Sequence, residues 1–384
     1  MESTITTMEY VSTHTSIPVP KLHGWDSSCD NLICRPYIFM ENLSGENFSF
    51  HVDTLDDVTL QKLTVQWARY IMQLAKLRFA KVGSLRRNED GDVIVSRLLT
   101  PHTTLLDKAS ERLRGPFQLA ADYLLSASAA KKERNRREGG PLAYGRYLRA
   151  TLIDGFMCYL MDYSYNSGPF VLNHPDFGVG HILIDPQGGD ITGVLDWDWA
   201  AVVPLQSHIY VADELNYEFL PSDELDNEPG GRAENGWKLD FSKKYRQTFE
   251  EGLIAAAEGM GLDYRVDELL DRSLMFKMYE RALQSSHDER YFPALWQHVY
   301  GEVVPYDRLR TGMKFAEWGR KAAQRHALSH PLRNSFAGCG TKSIANTESS
   351  GQRKSVNFKV TACETFSEYV DGGLPLSGSV AENL

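Results

Sequence analysis

From Asp57 onward, Leu60, Leu63, Trp67, Ile71 and Leu74 recur at intervals of three or four. That spacing lays one apolar stripe along an α-helix. A different period governs the middle of the chain. Phe170-Val171-Leu172 and Ile182-Leu183-Ile184 are apolar runs of strand type, and a turn, Pro186-Gln187-Gly188-Gly189-Asp190, leads to a further strand, Ile191 to Leu195. Arg86 to Val95 reads as another hairpin, with Asp90-Gly91 at its turn because glycine supplies the positive φ.

Residues 2–13 are expected to form a short helix, and the two prolines of SIPVPKLHGWD force an extended path after it. A strand is expected over LICRPYIFM, 32–40, ending in Met40-Glu41-Asn42-Leu43-Ser44-Gly45, a polar, glycine-closed linker between two lobes. The basic stretch 129–141 reads as a solvated loop or frayed helix end, and 145–163 as a buried helix. Helical patterns also run through 241–260 and 266–286, the acidic stretch Asp213 to Glu234 reads as a surface loop, and the chain beyond 331 as a disordered tail.

Composition narrows the function classes. With 384 residues, 42% of them apolar and 24% charged, the chain has material for one large or two smaller globular domains. Its longest apolar runs, such as Ala200 to Leu205, are too short to span a bilayer, and residues 1–20 lack a signal peptide's basic start and apolar middle. No membrane association and a cytoplasmic location are the expectation. Five scattered cysteines suit reduced structural thiols better than a disulfide framework or zinc knuckles. A net charge of −10 argues against nucleic acid as a partner and favours a neutral or cationic small molecule.

The candidate chemistry sits in NHPDFGVGHILID, which contains both His174-Pro175-Asp176 and Asp176-Phe177-Gly178. The flanking strand runs are wrong for the helical hairpin of a co-chaperone. Asp196 follows Asp176 by twenty residues, across the predicted hairpin. In a kinase-like arrangement a catalytic-loop aspartate precedes a hairpin that delivers a metal-binding aspartate. Asp176 then takes the first role and Asp196 the second.

On these motifs, with TSIPVP, YIFMENLSGENF, FAKVGSL and RGPFQLAADYLL in support, the sequence resembles the aminoglycoside phosphotransferase and choline-kinase-like family over residues 4–325. The resemblance implies an α+β, protein-kinase-like two-lobed fold with a truncated N-lobe at 1–45, a mainly helical C-lobe at 46–330 and the tail at 331–384. It implies ATP and Mg²⁺ as cofactors and a small-molecule hydroxyl as substrate. Asp176 would orient that hydroxyl, Asp196 would hold the metal, His174 would brace the loop, and Met40, Glu41 and Asn42 would present backbone groups to the adenine.

Two departures qualify the resemblance. His181 stands where the family usually has a metal-ligating asparagine, and its softer imidazole favours Mn²⁺ or similar ions over Mg²⁺. The alignment also starts inside the helix that normally carries a glutamate partner for the ATP lysine, and puts Thr4 at the glutamate's place. A catalytically impaired pseudokinase or regulatory binding protein of the same fold is therefore the alternative. Asp198 has metal binding and turn capping both open to it. Trp197 and Trp199 are expected in the core, and His208, His287 and His298, single and without a companion ligand, read as satisfied or exposed histidines. GCGTKS at 338–343 lacks the glycine spacing of a phosphate-binding loop.

Overall fold

The computed structural model describes residues 1–100, 113–216, 236–284 and 290–301. The chain divides into Met1–Val304 and Pro305–Leu384, and the described residues all belong to the first. The acidic stretch after Asn216, His287 and the tail lie outside them.

Helix α1 (Glu2–His14) buries Ile5, Met8 and Val11, and also Ser3, Thr4, Thr6 and Thr7. It lies on the antiparallel hairpin of β5 (Ser84–Arg87) and β6 (Val93–Ser96), where Glu2 pairs with Arg86 and Glu9 with Arg87. The hairpin turns at Gly91, φ 87°, as its Asp-Gly dipeptide predicts. Strands β1 (Leu22–Asp26) and β2 (Tyr37–Met40) form a second antiparallel pair. The strand expected from residue 32 thus starts only at Tyr37. Asn31 Nδ2 donates to the carbonyls of Ser28 and Arg35, both at 2.9 Å, which rolls residues 28–35 into a loop, and Pro36 has no N–H for a ladder.

Helix α2 (Asp57–Lys76) starts at Asp56, whose side chain accepts the Thr59 N–H at 2.9 Å, and buries all five residues of the predicted stripe. Its ring Trp67 meets Phe249 of α7 (Gly236–Gly259) at 5.0 Å, and Gly252 lets α7 approach Ala68 and Val65. Strand β7 (Phe170–Asn173) is the middle of a three-stranded sheet, between β10 (Ala201–Pro204) and the short β4 (Arg78–Phe79). All four residues of β10 are buried. The other three-stranded sheet orders β3 (Glu46–Asn47), β8 (Ile182–Asp185) and β9 (Asp190–Val194).

Two helical expectations need correction. Residues 129–138, expected as a solvated loop or a frayed helix end, are the second half of α3 (Ala120–Glu138). Lys131 and Asn135, one turn apart, point inward, and Lys131 Nζ donates to Ala282 O at 2.6 Å in α8 (Val266–Gln284), so these polar residues are packed rather than solvated. The helix expected over 145–163 is instead α4 (Gly140–Asp154) and a short α5 (Met157–Leu160). The break sets Phe156 fully inside an aromatic cluster with Phe292, Trp296 and Tyr300 of α9 (Phe292–Tyr300). Among the described residues no helix is long and apolar enough to cross a membrane, and Cys29, Cys34 and Cys158 are free and exposed rather than core thiols.

Candidate active site

The hairpin brings the two predicted acids together. Ile182 of β8 pairs with Val194 of β9, so the residues just beyond, His181 and Leu195, face each other, and Leu195 N–H donates to His181 O at 2.8 Å. Asp196 follows in a left-handed conformation, φ 56°, which an aspartate tolerates better than most residues.

The loop from β7 to β8 has its backbone polar groups held one after another. His174 Nε2–H donates to Leu195 O at 2.9 Å, and Nδ1 accepts the Asp176 N–H at 3.2 Å. Trp67 Nε1–H of α2 donates to Phe177 O at 3.0 Å. The Val179 N–H donates to Glu214 Oε1 at 3.1 Å, and Asn47 Nδ2 of β3 donates to Gly180 O at 2.6 Å. His181 N–H returns to Gly178 O at 3.0 Å. A loop so tied holds its side chains in fixed geometry, which positioned chemistry requires.

His174 is 1% exposed, in edge contact with Trp197. Burial pushes its pKa down to about 4, so the ring is neutral at pH 7 with its proton on Nε2. That tautomer is the one its two partners require.

Asp176 and Asp196 face outward, their side chains 72% and 50% exposed, with the His181 ring between them. His181 Nδ1 lies 3.1 Å from Asp176 O and 3.4 Å from its Oδ2, and Nε2 lies 3.6 Å from Asp196 Oδ2. Because the Asp176 carbonyl can only accept, Nδ1 carries a proton. Nε2 is the nitrogen turned toward the Asp196 carboxylate. Two ligand atoms 3.6 Å apart could share one divalent ion at roughly 2.1 Å each only at an angle of about 120°, wider than that of a regular octahedron. Among the described residues no three acidic, His or Cys side chains form a complete protein-only metal site.

Asp198 accepts from Thr4 Oγ1 of α1 at 2.7 Å. The residue that alignment put at the glutamate's place thus reaches this segment. Trp197 is buried and donates to Val194 O at 2.9 Å, whereas Trp199, expected in the core, is 43% exposed with φ 64°. Its left-handed backbone turns the side chain away from the interior. His208 is buried, with Nε2 2.9 Å from Ile71 O and Nδ1 3.0 Å from the Asn173 side-chain amide. It is a satisfied core histidine and His298 is exposed, the two outcomes expected of single histidines.

The Met40-Glu41-Asn42 segment runs from β2 toward this hairpin. Leu43 packs over Gly193, and Gly45, φ 126°, passes so close to β8 and β9 that a Cβ there would lie 2.2 Å from Thr192 Oγ1. The Glu41 N–H is committed to Lys21 O at 2.8 Å, which removes it as a donor to a ligand. Sequence reasoning missed Asn47, Trp67 and Glu214 as loop supports. Nothing in their neighbouring residues signals the role.

A profile of the phosphotransferase enzyme family matches residues 2–206, more than half the chain. The chain belongs to that family. The resemblance to the aminoglycoside phosphotransferase family therefore holds, and the described residues form a mixed α+β fold. Among curated proteins, a subtelomeric hrmA-associated cluster protein of Aspergillus fumigatus is 22% identical over 256 residues, 53% of this chain and 50% of that protein. The chain spans about half the length of the curated relatives it matches. Among solved structures, a thermostable mutant of aminoglycoside phosphotransferase APH(4)-Ia is 14% identical with a TM-score of 0.40, covering 85% of this chain and 83% of that one. An ethanolamine kinase of Plasmodium vivax is 11% identical with a TM-score of 0.38, covering 85% and 70%.

Proposed function

We propose that this chain is an ATP-dependent O-phosphotransferase acting on a hydroxyl of a small molecule. The observation that carries the reading is the pair of outward-facing carboxylates, Asp176 and Asp196, set on either side of His181 by a loop whose backbone is fixed from several elements. Phosphoryl transfer needs this kind of site, because catalysis is mostly positioning and charge neutralisation.

Asp176 orients the acceptor hydroxyl and takes its proton as the oxygen bonds to the γ-phosphorus of ATP, while the bond from that phosphorus to the bridging oxygen breaks and ADP leaves. Asp196 and His181 would hold Mg²⁺ or Mn²⁺, which would supply charge neutralisation at the nucleotide phosphates. His174 keeps Asp176 and the hairpin in register without touching substrate. The acceptor's identity does not follow from fold and motif, which fix the reaction type far better than the substrate.

Calorimetric titration of Mg·ATP into the full chain tests the nucleotide half, with micromolar binding expected and Asp196→Asn abolishing it. Phosphate transfer to a panel of small alcohols, lost in Asp176→Ala, tests the rest. His181 also favours a second reading, a non-catalytic binding protein. The ring itself occupies the space between the two carboxylates, 3.4 Å from one and 3.6 Å from the other. Nucleotide binding that is absent with both Mg²⁺ and Mn²⁺ would support that reading over the first.

A further inference from the structure

A third carboxylate reaches the loop between Asp176 and His181. Glu214 lies on the single 3₁₀ turn Asp213–Leu215, and its Oε1 accepts the Val179 N–H at 3.1 Å. A Cβ at Gly178 would stand 2.2 Å from that oxygen and 3.1 Å from Oε2. Gly178 has φ −120°, a conformation open to any residue, so it is the carboxylate lying against its Cα that excludes a side chain. The loop's glycine and the distant acid fit each other.

The turn that presents Glu214 is itself anchored on two helices. Asp213 pairs with Arg281 of α8. Ser242 of α7 donates to Leu215 O at 2.9 Å, Arg246 of α7 donates to Asn216 Oδ1, and Asn216 Nδ2 donates to Val211 O at 2.6 Å. Glu214 therefore transmits the position of the helical layer to the loop backbone. Burial pushes its pKa up to about 7, with the charges of Asp213 and Asp176 adding to the shift. An apolar residue here would avoid that penalty, but it would leave the Val179 N–H without an acceptor.

We propose that Glu214 is the positioning residue of the catalytic loop, its carboxylate clasping the Gly178-Val179 backbone so that Asp176 and His181, on either side, keep their mutual geometry. The proposal rests on the reading that these two residues act in phosphoryl transfer.

The test has a structural arm and a kinetic arm, both on the full chain. Amide hydrogen exchange at Val179 should quicken by about tenfold in Glu214→Ala and stay near wild type in Glu214→Gln, which keeps an acceptor oxygen. Gly178→Ala should quicken exchange across 176–181 in the wild-type background and do so much less in Glu214→Ala, where the oxygens it meets are gone. In the kinetic arm, kcat for transfer should fall on the order of a hundredfold in Glu214→Ala, with KM for ATP nearly unchanged and Glu214→Gln recovering most of the rate. Unchanged exchange in Glu214→Ala, or independent effects of the Gly178 and Glu214 substitutions, would overturn the clasp. So would a kcat that stays at the wild-type value. A wild-type chain that binds no nucleotide would instead sink the phosphotransferase reading, and the exchange arm would still decide whether the clasp exists.

Discussion

One ring, His174, satisfies two backbone groups: the Asp176 N–H and the Leu195 carbonyl. It ties the catalytic loop to the far strand of the hairpin through a tautomer that burial keeps neutral. Replacing it by phenylalanine would keep most of the volume and the contact with Trp197, but orphan both backbone groups. His174→Phe should lower stability by about 2 to 4 kcal/mol in urea unfolding. A loss under 1 kcal/mol would mean that water or a shifted backbone replaces the ring. His181, only seven residues on, has the opposite character. It is partly exposed and turns one nitrogen toward an acid.

Element packing, rather than surface charge, fixes α1 on the β5–β6 hairpin. Its ion pairs, Glu2 with Arg86 and Glu9 with Arg87, join side chains that are between 40% and 48% exposed. Exposed pairs of this kind contribute little, whereas Val11 is completely buried. Glu9→Ala should therefore change stability by no more than about 0.5 kcal/mol, while Val11→Ala should cost about 2 kcal/mol. Thermal or urea melts of the two variants check this, and a reversed order would show that charge docks the helix. The docking matters for the site because Thr4 on the same helix donates to Asp198, two residues past the proposed metal ligand.

Across the whole molecule, buried ionisable groups set the response to pH. His174 and His208 are pushed down to about 4 by burial, from an ordinary value of 6.5. Between those limits the unfolded chain binds protons that the folded one refuses. Each ring therefore withdraws about 1.4 kcal/mol of stability per pH unit as pH falls from 6.5 toward 4. Glu214, raised from 4.5 to about 7, acts the other way. Its contribution is full below 4.5 and is lost as pH rises through 7. Glu280, also buried, is raised in the same way, so over the shared window two histidines oppose two glutamates. Glu214→Gln removes one of the opposing groups and should tilt the slope toward lower stability in acid, as read from urea midpoints at pH 5 and 6.5. An unchanged slope would place the Glu214 carboxyl in a more solvated setting.

The sequence by itself determined the elements whose apolar period is local: the α2 stripe, the 86–95 hairpin, and the strand, turn and strand that separate Asp176 from Asp196. Those acids were legible because the hairpin between them is short, so its register alone brings their ends together. Polar residues that become buried misled the reading, as Lys131 and Asn135 did by looking like a solvated stretch. Only the tertiary structure decided what holds the loop. Glu214, Trp67 and Asn47 reach it from sequence separations of 35, 110 and 133 residues. A contact at such distance leaves no periodicity in the sequence, because it depends on how whole elements pack and on which side-chain atoms that packing turns toward an unpaired backbone group.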